Sequence, residues 1–193
     1  PEIAPKTYGD LPTPLMATTT SGLPVSFSSS TPSVAQVAGD QLIIMGAGTT
    51  VIKAVQSGNE SFLPATTEYM LVVNKASQFI EFNPLPEISL GTPLFILQGS
   101  ATSGLNVSFH SDHEQVASIQ GNVAVIHGAG VANITAIQEG DSNYHAAIPV
   151  TRPLAVTVIS GIEKRNNGIN FYPNPVKTVL FLRSDAPIQS III

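Results

Sequence analysis

The sequence predicts an all-β protein that contains two small β-sandwich domains in tandem. The main observation is an internal repeat. Ser21-Gly22-Leu23 recurs as Ser103-Gly104-Leu105, 82 positions later, and Gly46-Ala47-Gly48 recurs as Gly128-Ala129-Gly130 at the same spacing. A repeat of this length suits a whole small domain. The 193 residues include fifteen Gly and fifteen Pro, and the short alternating segments between them are typical of strands.

The repeat divides the chain into three parts. Residues 1–74 are the first predicted domain (repeat 1), residues 75–159 are the second (repeat 2), and residues 160–193 are a linker followed by the start of a third β-domain. The junction between the repeats, residues 74–77, is short. We therefore expect the two sandwiches to follow one another with limited freedom.

Matching strands are predicted from matching apolar positions. Residues 41–45 correspond to 123–127, and residues 50–56 correspond to 132–138. Because side chains alternate between the two faces of a strand, the shared apolar positions predict the inward face: Val25, Phe27, Ile52 and Ala54 in repeat 1, and Val107, Phe109, Ile134 and Ala136 in repeat 2. Lys53 and Thr135 are then predicted to face solvent.

The last strand of each repeat indicates one deleted residue. At strict spacing Asn74 corresponds to Val156, which places an amide on an apolar face. A slip of one residue reverses every side chain of a strand. We therefore expect repeat 1 to have lost one residue between positions 64 and 69, so that Leu71 corresponds to Leu154.

Repeat 2 contains a strand that repeat 1 lacks. The side chains of residues 78–82 alternate between the two faces of a predicted strand. The corresponding positions, 82 residues earlier, fall before Pro1 or at Pro1. We expect the chain to begin inside a domain, after its first strand. Repeat 1 should then have a vacant strand position.

Composition excludes several classes of function. Only 11% of residues are charged and the formal net charge is −5, so there is no basic stripe for nucleic acid. No apolar run reaches the length of a membrane span. With no cysteine, disulfides, thiolate metal sites and cysteine nucleophiles are excluded. We predict no cofactor.

Two groups of residues are candidate metal ligands. The first lies around residues 110–114, where histidines and carboxylates are close in sequence: His110, Asp112, His113 and Glu114. Imidazole and carboxylate suit a metal, but we predict that His110 faces solvent and that the others lie in a turn. The remaining histidines, His127 and His145, replace Met45 and Leu63 of repeat 1, which indicates tolerant positions.

The second group offers oxygen ligands for calcium: Asn59, Glu60, Asp141 and Asn143. Calcium takes six or more oxygens, and these residues are too sparse to supply them. We expect Asn59 and Asp141 to form turns by accepting hydrogen bonds from their own backbone. Phe62 and Tyr144 should then enter the core or cover its end.

No arrangement of residues predicts catalysis. There is no Gly-x-Ser-x-Gly segment and no evident pair of carboxylates for acid–base chemistry. Gly46-Ala47-Gly48 is not followed by the helix and lysine of a phosphate loop. The sequence has no tryptophan, which weakens any platform for sugar stacking. We predict a protein that is not an enzyme.

The repeats resemble the bacterial Ig-like domains that occur in tandem in large secreted and surface proteins. The resemblance covers about residues 1–159 and is carried by these segments: residues 8–10, 17–27, 32–35, 46–50 and 56–59 in repeat 1, and residues 138–144 and 150–154 in repeat 2. It implies Ig-like β-sandwiches. For function it implies a spacer, stalk or adhesive segment, since fold alone does not define an activity.

The tail carries a separate resemblance. Tyr172-Pro173-Asn174-Pro175 precedes an apolar segment, residues 179–182. This resembles the opening of the C-terminal sorting domain of type IX secretion cargo in Bacteroidetes. It implies that the secretion machinery is a partner of Tyr172, Pro173, Asn174 and Pro175. The alternative is a proline-rich turn before another strand. Because residues 191–193 are an apolar run, we expect the third β-domain to be truncated.

These observations lead to one hypothesis and one main alternative. The chain is predicted to be the non-catalytic stalk and C-terminal export region of a large bacterial protein, secreted or held at the outer-membrane surface. The alternative is an adhesin or carbohydrate-binding module, with surface glycans or other cell-surface proteins as partners. An enzyme is the third and least favoured class.

Overall fold

The computed structural model describes residues 3–158, 169–172 and 181–184, and these residues form strands, turns and connecting segments without a helix. The strands of repeat 1 are β1 (Lys6–Thr7), β2 (Thr13–Pro14), β3 (Ser26–Ser29), β4 (Ala35–Ala38), β5 (Gln41–Ile44), β6 (Gly48–Gln56) and β7 (Ala65–Asn74). The strands of repeat 2 are β8 (Ile80–Phe82), β9 (Ile88–Ser89), β10 (Leu94–Ile96), β11 (Gly99–Ala101), β12 (Ser108–Ser111), β13 (Ala117–Gln120), β14 (Val123–Ile126), β15 (Gly130–Ile137) and β16 (Val150–Thr157). A hairpin follows, formed by β17 (Ile169–Tyr172) and β18 (Phe181–Ser184).

Repeat 2 is an Ig-like β-sandwich. One sheet has the order β9-β16-β15-β12, with β9 parallel to β16. The opposite layer contains β10-β14-β13, and β11 pairs with β8. If β10 and β11 are taken as two halves of one bent strand, this layer has the strand order of the four-stranded Ig sheet. In the first layer, β12, β15 and β16 have the strand order of the three-stranded Ig sheet, with β9 added at the edge. The predicted all-β, Ig-like class is therefore confirmed by strand order.

Repeat 1 has the same strand order except at two positions. Its sheets are β1-β7-β6-β3 and β2-β5-β4. Residues 17–19, which correspond to β11, belong to no ladder among the described residues, and no strand of the described residues corresponds to β8.

The register of the last two strands confirms the one-residue deletion. Gly48 pairs with Val73 in repeat 1, and Gly130 pairs with Val156 in repeat 2. The two glycines are 82 positions apart, whereas the two valines are 83 positions apart, so repeat 1 is one residue shorter between these strands. Strands β6 and β15 begin at these glycines, two residues earlier than predicted, because the chain re-enters the ladder directly after the bend.

The predicted inward positions are buried or pack against the cores, except Val25, which is half-buried and does not pack against the core of repeat 1. Ile52 and Ile134 are 1% and 0% exposed, and Leu71 and Leu154 are completely buried. Lys53 is exposed as predicted. Thr135 is half-buried rather than open to solvent, because its Oγ1 lies 2.9 Å from the Oγ1 of Thr151 on the next strand.

The tail forms a two-stranded antiparallel ladder in which Tyr172 pairs with Phe181. Tyr172 is therefore the last residue of β17. Pro173, Asn174 and Pro175 lie outside the described residues, as does the predicted truncated end, residues 191–193. In the part of the chain that the structure describes, no helix has the length and apolar character of a membrane span.

Candidate functional site: the junction between the repeats

The linker between the repeats is held by backbone hydrogen bonds to a loop of repeat 2. The N–H of Ala76 donates to the carbonyl of Asn143 at 2.8 Å, and the N–H of His145 donates to the carbonyl of Ala76 at 2.9 Å. These bonds form a parallel bridge between Ala76 and Tyr144. Lys75 Nζ also donates to the carbonyl of Asp141. The linker is therefore part of the fold of repeat 2.

Asp141 shapes the loop that receives the linker. Its Oδ1 accepts hydrogen bonds from the N–H groups of Asn143 and Tyr144, at 2.7 and 2.8 Å. Asn59 does the same in repeat 1, accepting from Ser61 and Phe62 at 2.9 Å. The prediction that Asn59 and Asp141 form turns with their own backbone is confirmed.

Asn143 connects the two repeats directly. Its side-chain Oδ1 accepts a hydrogen bond from the backbone N–H of Ala47 at 2.9 Å. Ala47 lies between two glycines at the bend before β6. A Cβ atom at Gly46 would lie 2.8 Å from the carbonyl oxygen of Ser33 and 3.3 Å from Asn143 Oδ1, so the absence of a side chain at Gly46 lets the bend approach both groups.

Tyr8 and Tyr144 make an aromatic contact across the junction. Their ring centroids are 5.4 Å apart and their planes meet at 85°, an edge-to-face arrangement that aromatic rings favour. Tyr8 lies in a turn closed by the N–H of Asp10 donating to the carbonyl of Thr7 at 3.0 Å. Gly9 has a φ of 91°, the positive value that a type II turn requires.

The expected positions of the two loop aromatics are only partly correct. Neither ring enters the core: Tyr144 is half-buried and contacts Tyr8 of repeat 1. Phe62, its counterpart, is 48% exposed. The difference arises because the described residues place the end of repeat 1 against Tyr144, whereas none of them covers Phe62 in that way.

Of the candidate metal ligands around residues 110–114, Asp112 is used in local hydrogen bonds. Asp112 accepts from the side chain and the backbone of Asn133, at 2.8 and 2.7 Å, and these bonds lower the pKa of the Asp112 carboxyl. His127 Nε2 lies 2.8 Å from Ser118 Oγ. His110 is exposed on β12. Among residues 3–158, no three or more histidines and carboxylates form a group suited to a metal ion.

Three junction residues, Tyr8, Ala47 and Asn143, were not predicted to join the repeats, and Asn143 was considered only as a calcium ligand. The sequence does contain a signal for two of them, because the repeats differ there: Tyr8 corresponds to Leu90, and Asn143 corresponds to Ser61. Ala47 has no such signal, since it contributes its backbone N–H. A residue that acts through its backbone cannot be recognised by its side chain.

Comparisons with known proteins do not define a family. No protein-family model matches the chain, and no curated protein matches it significantly. Similar solved structures include domains 4 and 5 of the S-layer protein SbsC, with 18% identity and a TM-score of 0.32 over 69% of this chain and 76% of that one. An intimin fragment, with 15% identity and a TM-score of 0.30, aligns over 68% of this chain and 50% of its own. Drosophila N-cadherin EC1-3 shows 12% identity and a TM-score of 0.37 over 77% of this chain and 57% of that one. The fold assignment here depends on strand order and not on these values.

Proposed function

We propose that this chain is a non-catalytic spacer of a bacterial protein located outside the cell. The observation that supports this proposal is the junction between the repeats. A linker that only connects two domains leaves them free to reorient. Here Asn143 and Tyr144 of repeat 2 contact Ala47 and Tyr8 of repeat 1, and the linker itself pairs with the same loop. These contacts oppose bending between the sandwiches.

A distance measurement between the repeats tests the spacer function. Because the chain has no cysteine, Gln36→Cys and Gln120→Cys introduce two spin labels at exposed positions of β4 and β13. Double electron–electron resonance should give a narrow distribution of distances between the two labels. Tyr8→Ala should broaden it, because the edge-to-face contact is lost.

The matched control is Leu90→Ala, which removes the corresponding side chain of repeat 2 and leaves the junction intact. A broad distribution in the unmodified protein would refute the spacer proposal. So would a distribution that Tyr8→Ala and Leu90→Ala change equally.

We also propose that the tail directs export through a type IX secretion system. The support is the Tyr172-Pro173-Asn174-Pro175 segment, which begins at the end of β17. A reporter fused to the tail, extended through the end of the open reading frame, should reach the medium or cell surface in a host with this system. Replacing Pro173 and Pro175 with alanine should keep it in the periplasm. Periplasmic retention of the unmodified fusion would count against the sorting role.

A further inference from the structure

Each repeat has a groove of about 650 Å³, a volume within the roughly 300–1,000 Å³ of ligand sites. The groove of repeat 1 is lined mainly by apolar side chains, among them Phe27, Leu42 and Ile52. The groove of repeat 2 lies along β11 and combines an apolar floor with a polar rim. The two grooves therefore differ in chemistry although they have similar volumes.

The rim of the groove of repeat 2 carries exposed polar side chains from separate segments of the chain. Four are carboxamides, one is a hydroxyl and one is a carboxylate: Glu81, Asn83, Gln98, Ser100, Asn106 and Asn122. A carboxamide both donates and accepts hydrogen bonds, as a hydroxyl group does. Glu81 is the one ionisable side chain among the described residues that line this groove, so no cation there complements an anionic ligand. The rim therefore suits a neutral ligand that is rich in hydroxyl groups.

Comparison of the repeats separates this rim from the scaffold. Three rim positions differ in chemistry, because Gln98, Asn106 and Asn122 correspond to Met16, Pro24 and Asp40 of repeat 1. Four residues of the floor are the same as their counterparts 82 positions earlier: Leu97, Leu105, Val107 and Phe109. The two repeats thus share the floor and differ at the carboxamides, so the fold does not require the carboxamides.

Backbone hydrogen bonds hold the rim segments in place. The carbonyl of Asn122 accepts from the N–H of Leu97 at 2.8 Å. The carbonyl of Ala101 accepts from the N–H of Gly104 at 2.9 Å, which fixes the start of the loop that carries Asn106. Little backbone ordering is then needed when a ligand binds, which favours affinity.

The floor is open to the groove at Gly99. A Cβ atom at this position would lie 3.0 Å from Cζ of Phe109, so the absence of a side chain leaves room beside the edge of the ring. Leu105, Val107 and Phe109 are half-buried. Their accessible parts give the groove an apolar surface between its polar groups.

We propose that the groove of repeat 2 is a binding site for a neutral saccharide. The carboxamides and Glu81 bind its hydroxyl groups, and the floor packs against its C–H groups. Because the chain has no tryptophan, recognition depends on hydrogen bonds more than on ring stacking. An extended peptide is a poorer fit, since it pairs along one strand edge, whereas the rim groups come from separate segments. The site adds ligand binding to the spacer function.

The test is a titration of the isotope-labelled full chain with maltotriose, cellotriose and mannotriose, followed by amide NMR. At least one trisaccharide should give saturable shifts at Ser100 and Asn106 and leave Thr18, the counterpart of Ser100, unchanged. Trigalacturonic acid, which is anionic, should bind more weakly. The proposal is overturned by the absence of a saturable shift with all three neutral trisaccharides, or by equal shifts at Ser100 and Thr18. Tighter binding of trigalacturonic acid or of a trialanine peptide would also overturn it.

Repeat 1 supplies the variant for this site. Gln98→Met introduces the residue that repeat 1 has at the corresponding position, so the scaffold should tolerate it. It should weaken binding about 2- to 10-fold through the loss of a hydrogen bond. The matched control is Gln115→Met, the same change at an exposed position outside the groove, which should leave the dissociation constant unchanged. Equal effects of the two variants would place binding on another surface and overturn the proposal.

Discussion

Asn143 Oδ1 lies 2.9 Å from the backbone nitrogen of Ala47, so a side chain of repeat 2 accepts a hydrogen bond from a bend of repeat 1, 96 residues earlier. The same loop holds the linker through Ala76 and carries Tyr144 against Tyr8. One loop of repeat 2 therefore makes the side-chain, backbone and aromatic contacts described at the junction.

Asn143→Ala should loosen the junction without unfolding either repeat. The lost hydrogen bond contributes about 0.5–1.5 kcal/mol, so exchange of the Ala47 amide should become about 2- to 10-fold faster. Hydrogen exchange followed by NMR measures this rate. The control is Ser61→Ala, the corresponding change in repeat 1, which should leave the Ala47 amide unaffected. Equal exchange rates in the two variants would contradict the assigned contact.

Gly140→Ala should destabilise repeat 2 more than Gly121→Ala. Both glycines have a positive φ, 77° and 62°, so both variants incur the strain of that conformation, about 1–3 kcal/mol. A Cβ atom at Gly140 would also lie 2.4 Å from the carbonyl oxygen of Tyr144, whereas one at Gly121 meets nothing within 4 Å. Urea unfolding should therefore show a lower midpoint for Gly140→Ala. The reverse order would refute this account of the loop.

Phe109→Ala should cost more stability than Phe27→Ala, although the two residues correspond. Phe109 contacts Phe82, whereas Phe27 lines the groove of repeat 1. Both rings are half-buried, so each change should cost less than the about 3–5 kcal/mol of a fully buried Phe→Ala change, and the aromatic pair adds about 0.5–1.5 kcal/mol at Phe109. Denaturant titration followed by NMR reports each repeat separately. A larger loss at Phe27 would show that the groove is closed in solution.

Asp112 should make stability depend on acid pH. Hydrogen bonds from the side chain and backbone of Asn133 lower its pKa in the folded state. The ionised Asp112 carboxylate therefore adds to the free energy of unfolding at pH values above its unfolded pKa, about 3.9. This addition is lost as the pH falls through the lower pKa of the folded state.

The matched variant for this test is Asp112→Ser. Ser30, the counterpart of Asp112, accepts from the N–H of Val51 at 3.0 Å, so serine can accept the corresponding Asn133 N–H without titrating. Urea midpoints are measured between pH 7 and 2 for the unmodified protein and for Asp112→Ser. The difference between their midpoints should be larger at neutral pH than at pH 2. A difference that is constant over this range would exclude the carboxylate as its cause.

Much of the fold could be predicted because its features are local or are repeated. Alternation placed Ile52 and Ile134 in the cores, and comparison of the repeats located the deletion before Leu71. The turns at Asn59 and Asp141 were predicted because short polar side chains accept hydrogen bonds from nearby backbone groups. The partial burial of Thr135 was not predicted, since it depends on a neighbouring strand that brings Thr151 alongside.

The sequence by itself determined the all-β class, the two copies, the inward positions and the residues that form tight turns. These follow from side-chain alternation and from the conformational preferences of glycine, asparagine and aspartate. Only the tertiary structure decided that Asn143 reaches Ala47 and that Tyr8 meets Tyr144. Such contacts join positions far apart in the chain, and one of them uses a backbone N–H that every residue except proline carries. Their partners are set by how the two sandwiches meet.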